Sequence, residues 1–104
     1  MDESVKKKIQ AMVDSDSVFL FMKGTPQKPQ CGFSMQASNI LKAMKVNFSH
    51  FDVLSDESIR QGIKEFSNWP TIPQLYVKGN FIGGCDVMTQ MAQDGELQKM
   101  LGVE

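Results

Sequence analysis

The sequence predicts an α/β fold, a four-stranded mixed sheet flanked by helices, formed by residues 1–104 as one domain. Three observations predict it. An amphipathic helical pattern runs into a continuous apolar segment that reads as a strand buried on both faces, and a second helix and strand follow in the same order. Two short β-rich runs then meet at Gly79 before a final helical stretch. A chain of 104 residues is long enough for one hydrophobic core and too short for two.

Each element has its own signal. Val5, Ile9, Met12 and Val13 recur at helical spacing with Lys6, Lys7 and Lys8 between them, which makes an amphipathic helix that covers one face of the sheet. Val18 to Met22 is apolar throughout and suits a central parallel strand. Gly24 to Gln30 contains Pro26 and Pro29 and cannot be a regular helix. Phe33, Ala37, Ile40, Leu41 and Met44 then resume the helical period, so Cys31 falls at the mouth of a helix. Phe48, His50 and Asp52 alternate against Ser49, Phe51 and Val53 as a strand, and Ser55 to Phe66 reads as the next helix. Gln74 to Lys78 and Asn80 to Ile82 form a tight hairpin around Gly79. Val87, Met88, Met91, Leu97, Met100 and Leu101 complete a last helix, interrupted near Gly95.

Bulk properties exclude several classes. With 41% hydrophobic and 22% charged residues the composition is that of an ordinary globular domain. A formal charge of −1 gives no reason to expect nucleic acid or an anionic membrane as partner, and Val18 to Met22 is far too short to span a bilayer. Two cysteines are too few for a secreted disulfide framework, so a reducing compartment is expected: the cytoplasm, or an organelle matrix for a trimmed mature form.

Chemistry concentrates at Cys31. The thiolate is the nucleophile and the metal ligand, and free N–H groups with the helix dipole at a helix mouth favour it; Lys23, at the end of the preceding strand, adds a second positive charge. The bland alternative, a buried small hydrophobe, fits poorly beside Pro-rich and polar neighbours. The residue three places on is Ser34, and a hydroxyl cannot resolve a mixed disulfide. His50, the one histidine, lies away from every motif, and the eight methionines read as adaptable core packing.

Four motifs stand in a fixed order: Met22-Lys23-Gly24-Thr25-Pro26, Cys31-Gly32-Phe33-Ser34, Trp69-Pro70-Thr71-Ile72-Pro73-Gln74 and Gly83-Gly84-Cys85-Asp86. Together they resemble the single-domain monothiol glutaredoxins of CGFS type, over nearly the whole chain. The resemblance implies a thioredoxin fold, a glutathione groove and a 2Fe-2S cluster bridged between two protomers. It further implies delivery of clusters to iron-sulfur acceptor and assembly proteins, with weak activity in glutathione-disulfide assays.

The resemblance also implies roles for individual residues. Ile72-Pro73 would be a cis-proline turn that leaves the Ile72 main chain free to pair with the cysteinyl part of glutathione. Cys85 and Asp86 would meet the γ-glutamyl end, though Asp86 could equally serve as a helix N-cap. Gly83 and Gly84 would let a ligand's backbone approach, and Gly24 and Gly32 would let the chain turn closely around Cys31. Lys23 and Arg60 match the positions that take the glycyl carboxylate, although by spacing alone Gln61 or Lys64 would look as good as Arg60. Cys85 has three readings: a buried structural thiol, a resolving thiol for Cys31, or a main-chain contact to glutathione, the last being preferred. A disulfide with Cys31 would need Cα atoms within about 7 Å.

A 2Fe-2S cluster usually takes four thiolates. Cys31 and one glutathione supply two, so a symmetric pair of chains supplies four, and the dimer would part into monomers when the cluster is lost. The main alternative is a glutathione-dependent thiol-disulfide oxidoreductase that removes glutathione from protein thiols through Cys31.

Overall fold

The computed structural model describes residues 1–103 and contains the expected elements. They are α1 (Glu3–Asp14), β1 (Val18–Met22), α2 (Gly32–Ala43), β2 (Ser49–Asp52), α3 (Glu57–Ser67), β3 (Gln74–Val77), β4 (Asn80–Gly83), α4 (Cys85–Asp94) and α5 (Glu96–Leu101). The sheet order is β2-β1-β3-β4, with β1 parallel to β2 and antiparallel to β3, and β3 antiparallel to β4.

All five residues of β1 are buried, as a strand covered on both faces requires. Their alternation splits the core in two. Phe19 and Phe21 join Ile9, Val13, Ile59 and Ile63 beneath α1 and α3, while Val18, Leu20 and Met22 join Ala37, Leu41, Met88 and Leu97 beneath α2, α4 and α5. β2 is the edge strand beside it and is only partly covered.

Local chemistry fixes the boundaries. Asp2 caps α1 through the Ser4 amide at 2.7 Å. α3 begins at Glu57 rather than Ser55 because Asp56 accepts from the Ser58 and Ile59 amides, while Val53–Ser55 forms a short 3₁₀ turn. The β3–β4 turn has positive φ at both Lys78 and Gly79, the geometry of a two-residue hairpin. The last helix is two, since Gly95 adopts a left-handed conformation that ends α4 and opens α5.

The register brings the chemical motifs to one end of the sheet. Phe21 pairs with Gln74 and Leu75 with Gly83, so the chain leaving β1, the chain entering β3 and the chain leaving β4 lie side by side. Cys31, Ile72 and Cys85 follow or precede those three strand ends.

Candidate functional site

Cys31 is the N-cap of α2, in extended conformation and partly exposed. Its thiol is held below the ordinary cysteine range chiefly by the Ser34 amide, helped by the Phe33 amide, the Lys23 charge and the Ser34 hydroxyl, with partial burial opposing them. Ser34 is fully buried and its Oγ accepts from the Lys23 amide at 3.0 Å. Ser34 is thus more than a missing thiol: one hydroxyl ties the end of β1 to the first turn of α2.

The loop between Lys23 and Gln30 is a closed structure. The Gln30 amide returns to the Lys23 carbonyl at 2.9 Å, Thr25 and Lys28 exchange main-chain bonds, and the Lys42 ammonium donates to the Pro26 carbonyl. Asp52 anchors its start through the Gly24 amide at 2.9 Å. Gly24 has φ +88, and a Cβ there would lie 2.5 Å from the Lys28 carbonyl oxygen, so this fold-back admits only glycine.

Two contiguous clefts form one groove. The first, 240 Å³, is lined by Lys23, Cys31, Phe33, Lys64, Pro70, Thr71 and Ile72. The second, 270 Å³, shares Phe33, Thr71 and Ile72 and continues past Trp69, Pro73 and Gly84 to Cys85, Asp86 and Val87. Phe33, 59% exposed, is a groove wall. Two lysines stand at the Cys31 end and the exposed Asp86 carboxylate at the other.

Arg60 is not among the lining residues. Its guanidinium lies 3.4 Å from Glu57 on its own helix, and its Nε is buried without a partner. Lys64, one helical turn further, reaches the groove instead; the i,i+4 spacing from Arg60 was the available signal. The Ile72–Pro73 peptide is cis, and the Ile72 main chain lies outside the sheet ladder, which begins at Gln74.

The turn after β4 corrects one reading. Gly84, not Asp86, is the N-cap of α4, and Asp86 sits in the first turn. The two glycines answer internal packing: a Cβ on Gly83 would lie 2.6 Å from Val87 Cβ, and one on Gly84 would lie 3.1 Å from the Pro73 carbonyl oxygen. Gly32, by contrast, has open space around it and no positive φ. Cys85 is 7% exposed, and its thiol is pushed up by burial and by the nearby Asp86 and Cys31, against a lowering bond from Thr89. Both cysteines are free. A buried thiol kept protonated is a poor attacking group.

Among the described residues no three His, Cys, Asp or Glu side chains gather into a metal site, and no helix is long and apolar enough to cross a membrane. Each chain therefore offers one accessible, thiolate-favouring sulfur.

A helix-mouth cysteine facing a cis-proline turn at one end of a four-stranded mixed sheet defines a thiol protein of the thioredoxin fold. The Glutaredoxin family model matches residues 18–82. The chain is 52% identical to the uncharacterized monothiol glutaredoxin ycf64-like of Synechocystis, over 99% of this chain and 96% of that one. It is 48% identical to Monothiol glutaredoxin-S17 of Arabidopsis thaliana over 96% of its own residues, but spans only 20% of that longer protein. The solution structure of a monomeric truncated mutant of Trypanosoma brucei 1-C-Grx1 superposes with a TM-score of 0.85 at 42% identity, covering 93% of this chain and 88% of that one. The chain belongs to the glutaredoxin family, among its monothiol members.

Proposed function

We propose that this chain binds glutathione along the groove, and that Cys31 and the glutathione thiolate together hold half of a 2Fe-2S cluster carried as cargo to acceptor proteins. The observation that carries the reading is the pairing of one thiolate-favouring sulfur per chain with a groove that is cationic at one end and anionic at the other. Glutathione has a carboxylate at each end, an ammonium at one and a thiol between, which fits that polarity. Lys23 and Lys64 take the glycyl carboxylate, with Arg60 near enough on the same helix to add long-range attraction. The Ile72 main chain pairs with the cysteinyl residue. The Cys85 amide and the first turn of α4 receive the γ-glutamyl carboxylate, and Asp86 its ammonium.

Four thiolates complete a 2Fe-2S cluster, so one sulfur and one glutathione per chain require two chains around the cargo. Cys85, buried and protonated, contributes neither ligand nor resolving thiol. The chain works as a monomer without cargo, in a reducing compartment such as cytoplasm or an organelle matrix, where Cys31 stays reduced.

The same thiolate also favours a second reading, removal of glutathione from protein mixed disulfides. Cys31 would attack the glutathione sulfur, expel the protein thiolate, and be freed by a second glutathione as glutathione disulfide. Anaerobic reconstitution with iron and sulfide, with and without glutathione, separates the two. A coloured dimer that needs glutathione and Cys31 supports cargo binding, and Cys85→Ser should keep its colour. No colour in the wild type, together with rapid steady-state glutathione-disulfide turnover, would transfer the assignment to the oxidoreductase.

A further inference from the structure

We propose that Gln74 is a positioning residue: by holding the Trp69 and Thr71 carbonyls on the core side of the turn, it turns the Ile72 main-chain N–H into the groove beside Cys31. Gln74 is fully buried at the first position of β3. Its Nε2 donates to the Trp69 carbonyl at 3.2 Å and to the Thr71 carbonyl at 3.1 Å, and its Oε1 accepts from the Tyr76 hydroxyl at 3.3 Å. The carboxamide thus uses both donors on the turn that forms the groove wall and its acceptor on a core tyrosine.

The consequence follows from peptide geometry. The Thr71–Ile72 peptide is trans and planar, so its C=O and N–H point in opposite directions. With the carbonyl drawn inward to a fully buried amide, the N–H of Ile72 points outward, to the side where Thr71 and Ile72 line the groove. The Trp69–Pro70 peptide, held in the same way, presents nothing because proline has no N–H. Gln74 therefore selects a single groove-facing donor without touching the groove itself.

Other residues of similar size cannot do this. An ionised glutamate would set an acceptor against two carbonyls, and a protonated one has a single donor for both. Methionine fills the volume but leaves both carbonyls without the donors that hold them inward.

The proposal rests on the reading that glutathione pairs with Ile72, and its test separates the two. S-methylglutathione, which cannot exchange disulfides, is titrated into ¹⁵N-labelled wild type, Gln74→Met and Tyr76→Phe. In the wild type the Ile72 amide should shift on binding. Gln74→Met should bind about tenfold more weakly, the cost of losing one fixed hydrogen bond, while Tyr76→Phe, which keeps both carbonyl bonds, stays within about twofold. In the free proteins the Ile72 amide signal should be sharp in wild type and Tyr76→Phe and broadened or split in Gln74→Met. The pH profile of Cys31 alkylation should be the same in all three, since Gln74 makes no contact with the thiolate. A folded Gln74→Met with wild-type affinity and a sharp Ile72 signal overturns the proposal. Failure of the wild type to bind S-methylglutathione overturns the groove reading instead, and the free-protein Ile72 signal still decides the role of Gln74. Should Gln74→Met not fold, Gln74→Glu replaces it: its Ile72 signal should change across the carboxyl titration, and a pH-independent signal like the wild type's refutes the role.

Discussion

Cys31 and Ser34 act as a pair, and the energetics of each are separable. The Ser34 amide and hydroxyl both donate to the Cys31 thiolate, and the hydroxyl oxygen accepts from the Lys23 amide. Ser34→Ala removes only the hydroxyl, so Cys31 should alkylate with a higher midpoint pH than wild type, yet still below an ordinary thiol because both amides remain. The same change strands the Lys23 N–H and should cost about 1–3 kcal/mol in denaturant unfolding. Linkage gives a further expectation. Between the lowered folded value and the ordinary unfolded value of Cys31, the unfolded chain binds the extra proton, so stability rises with pH across that window. The stability advantage of wild type over Cys31→Ser should therefore grow from acid toward the ordinary thiol range and vanish as pH falls through the folded value. Cys85 has the opposite sign: its raised value means stability is lost as pH climbs through it, and Cys85→Ser should flatten the alkaline decline. The sign for Cys31 was legible from its place at a helix mouth beside Lys23, whereas that for Cys85 follows from a burial the sequence does not fix. Local sequence places Cys31 at a helix mouth, but the Lys23–Ser34 bond depends on how β1 meets α2.

At the scale of elements, the glycines divide into those the fold needs and the one it does not. Gly83→Ala would push a Cβ into Val87 and hold an unfavourable φ of +154, so a loss of roughly 2–3 kcal/mol is expected by thermal or denaturant unfolding. Gly32→Ala meets open space in a first helical turn and should be neutral or stabilising by about 0.5–1 kcal/mol. If Gly32 serves a ligand's close approach, the same variant should weaken glutathione binding while its stability holds, a split that calorimetric titration can read. The elements themselves were largely legible, because β1 is uniformly apolar and α1, α2 and α3 carry a clear helical period. The fold-back of Lys23 to Gln30 was not, since its anchors at Asp52 and Lys42 are distant in sequence and look like ordinary surface charges. The packing at Gly83 and Gly84 was hidden for the same reason: Val87 and the Pro73 carbonyl become neighbours only in three dimensions.

At the scale of the whole molecule, the polarity of the groove at the end of the sheet makes the strongest claim on function. The motif resemblance grouped Lys23, Cys31, Ile72 and the Cys85–Asp86 turn, and the register of β1, β3 and β4 sets their strand ends side by side. The resemblance pointed to Arg60, whereas Lys64, one turn further along the same helix face, lines the groove. Lys64→Gln should thus weaken glutathione binding more than Arg60→Gln, by about three- to tenfold at low salt and less as salt screens the charge. The proposed cargo needs four thiolates and each chain with its glutathione supplies two, so the proposal requires two chains around it. The most direct measurement is the native mass of the chain after anaerobic reconstitution with iron, sulfide and glutathione. One coloured species of two chains, two glutathiones and one 2Fe-2S cluster is expected, reverting to monomers when the cluster is removed and never forming with Cys31→Ser. A coloured species that lacks glutathione, or that persists in Cys31→Ser, would contradict this assembly.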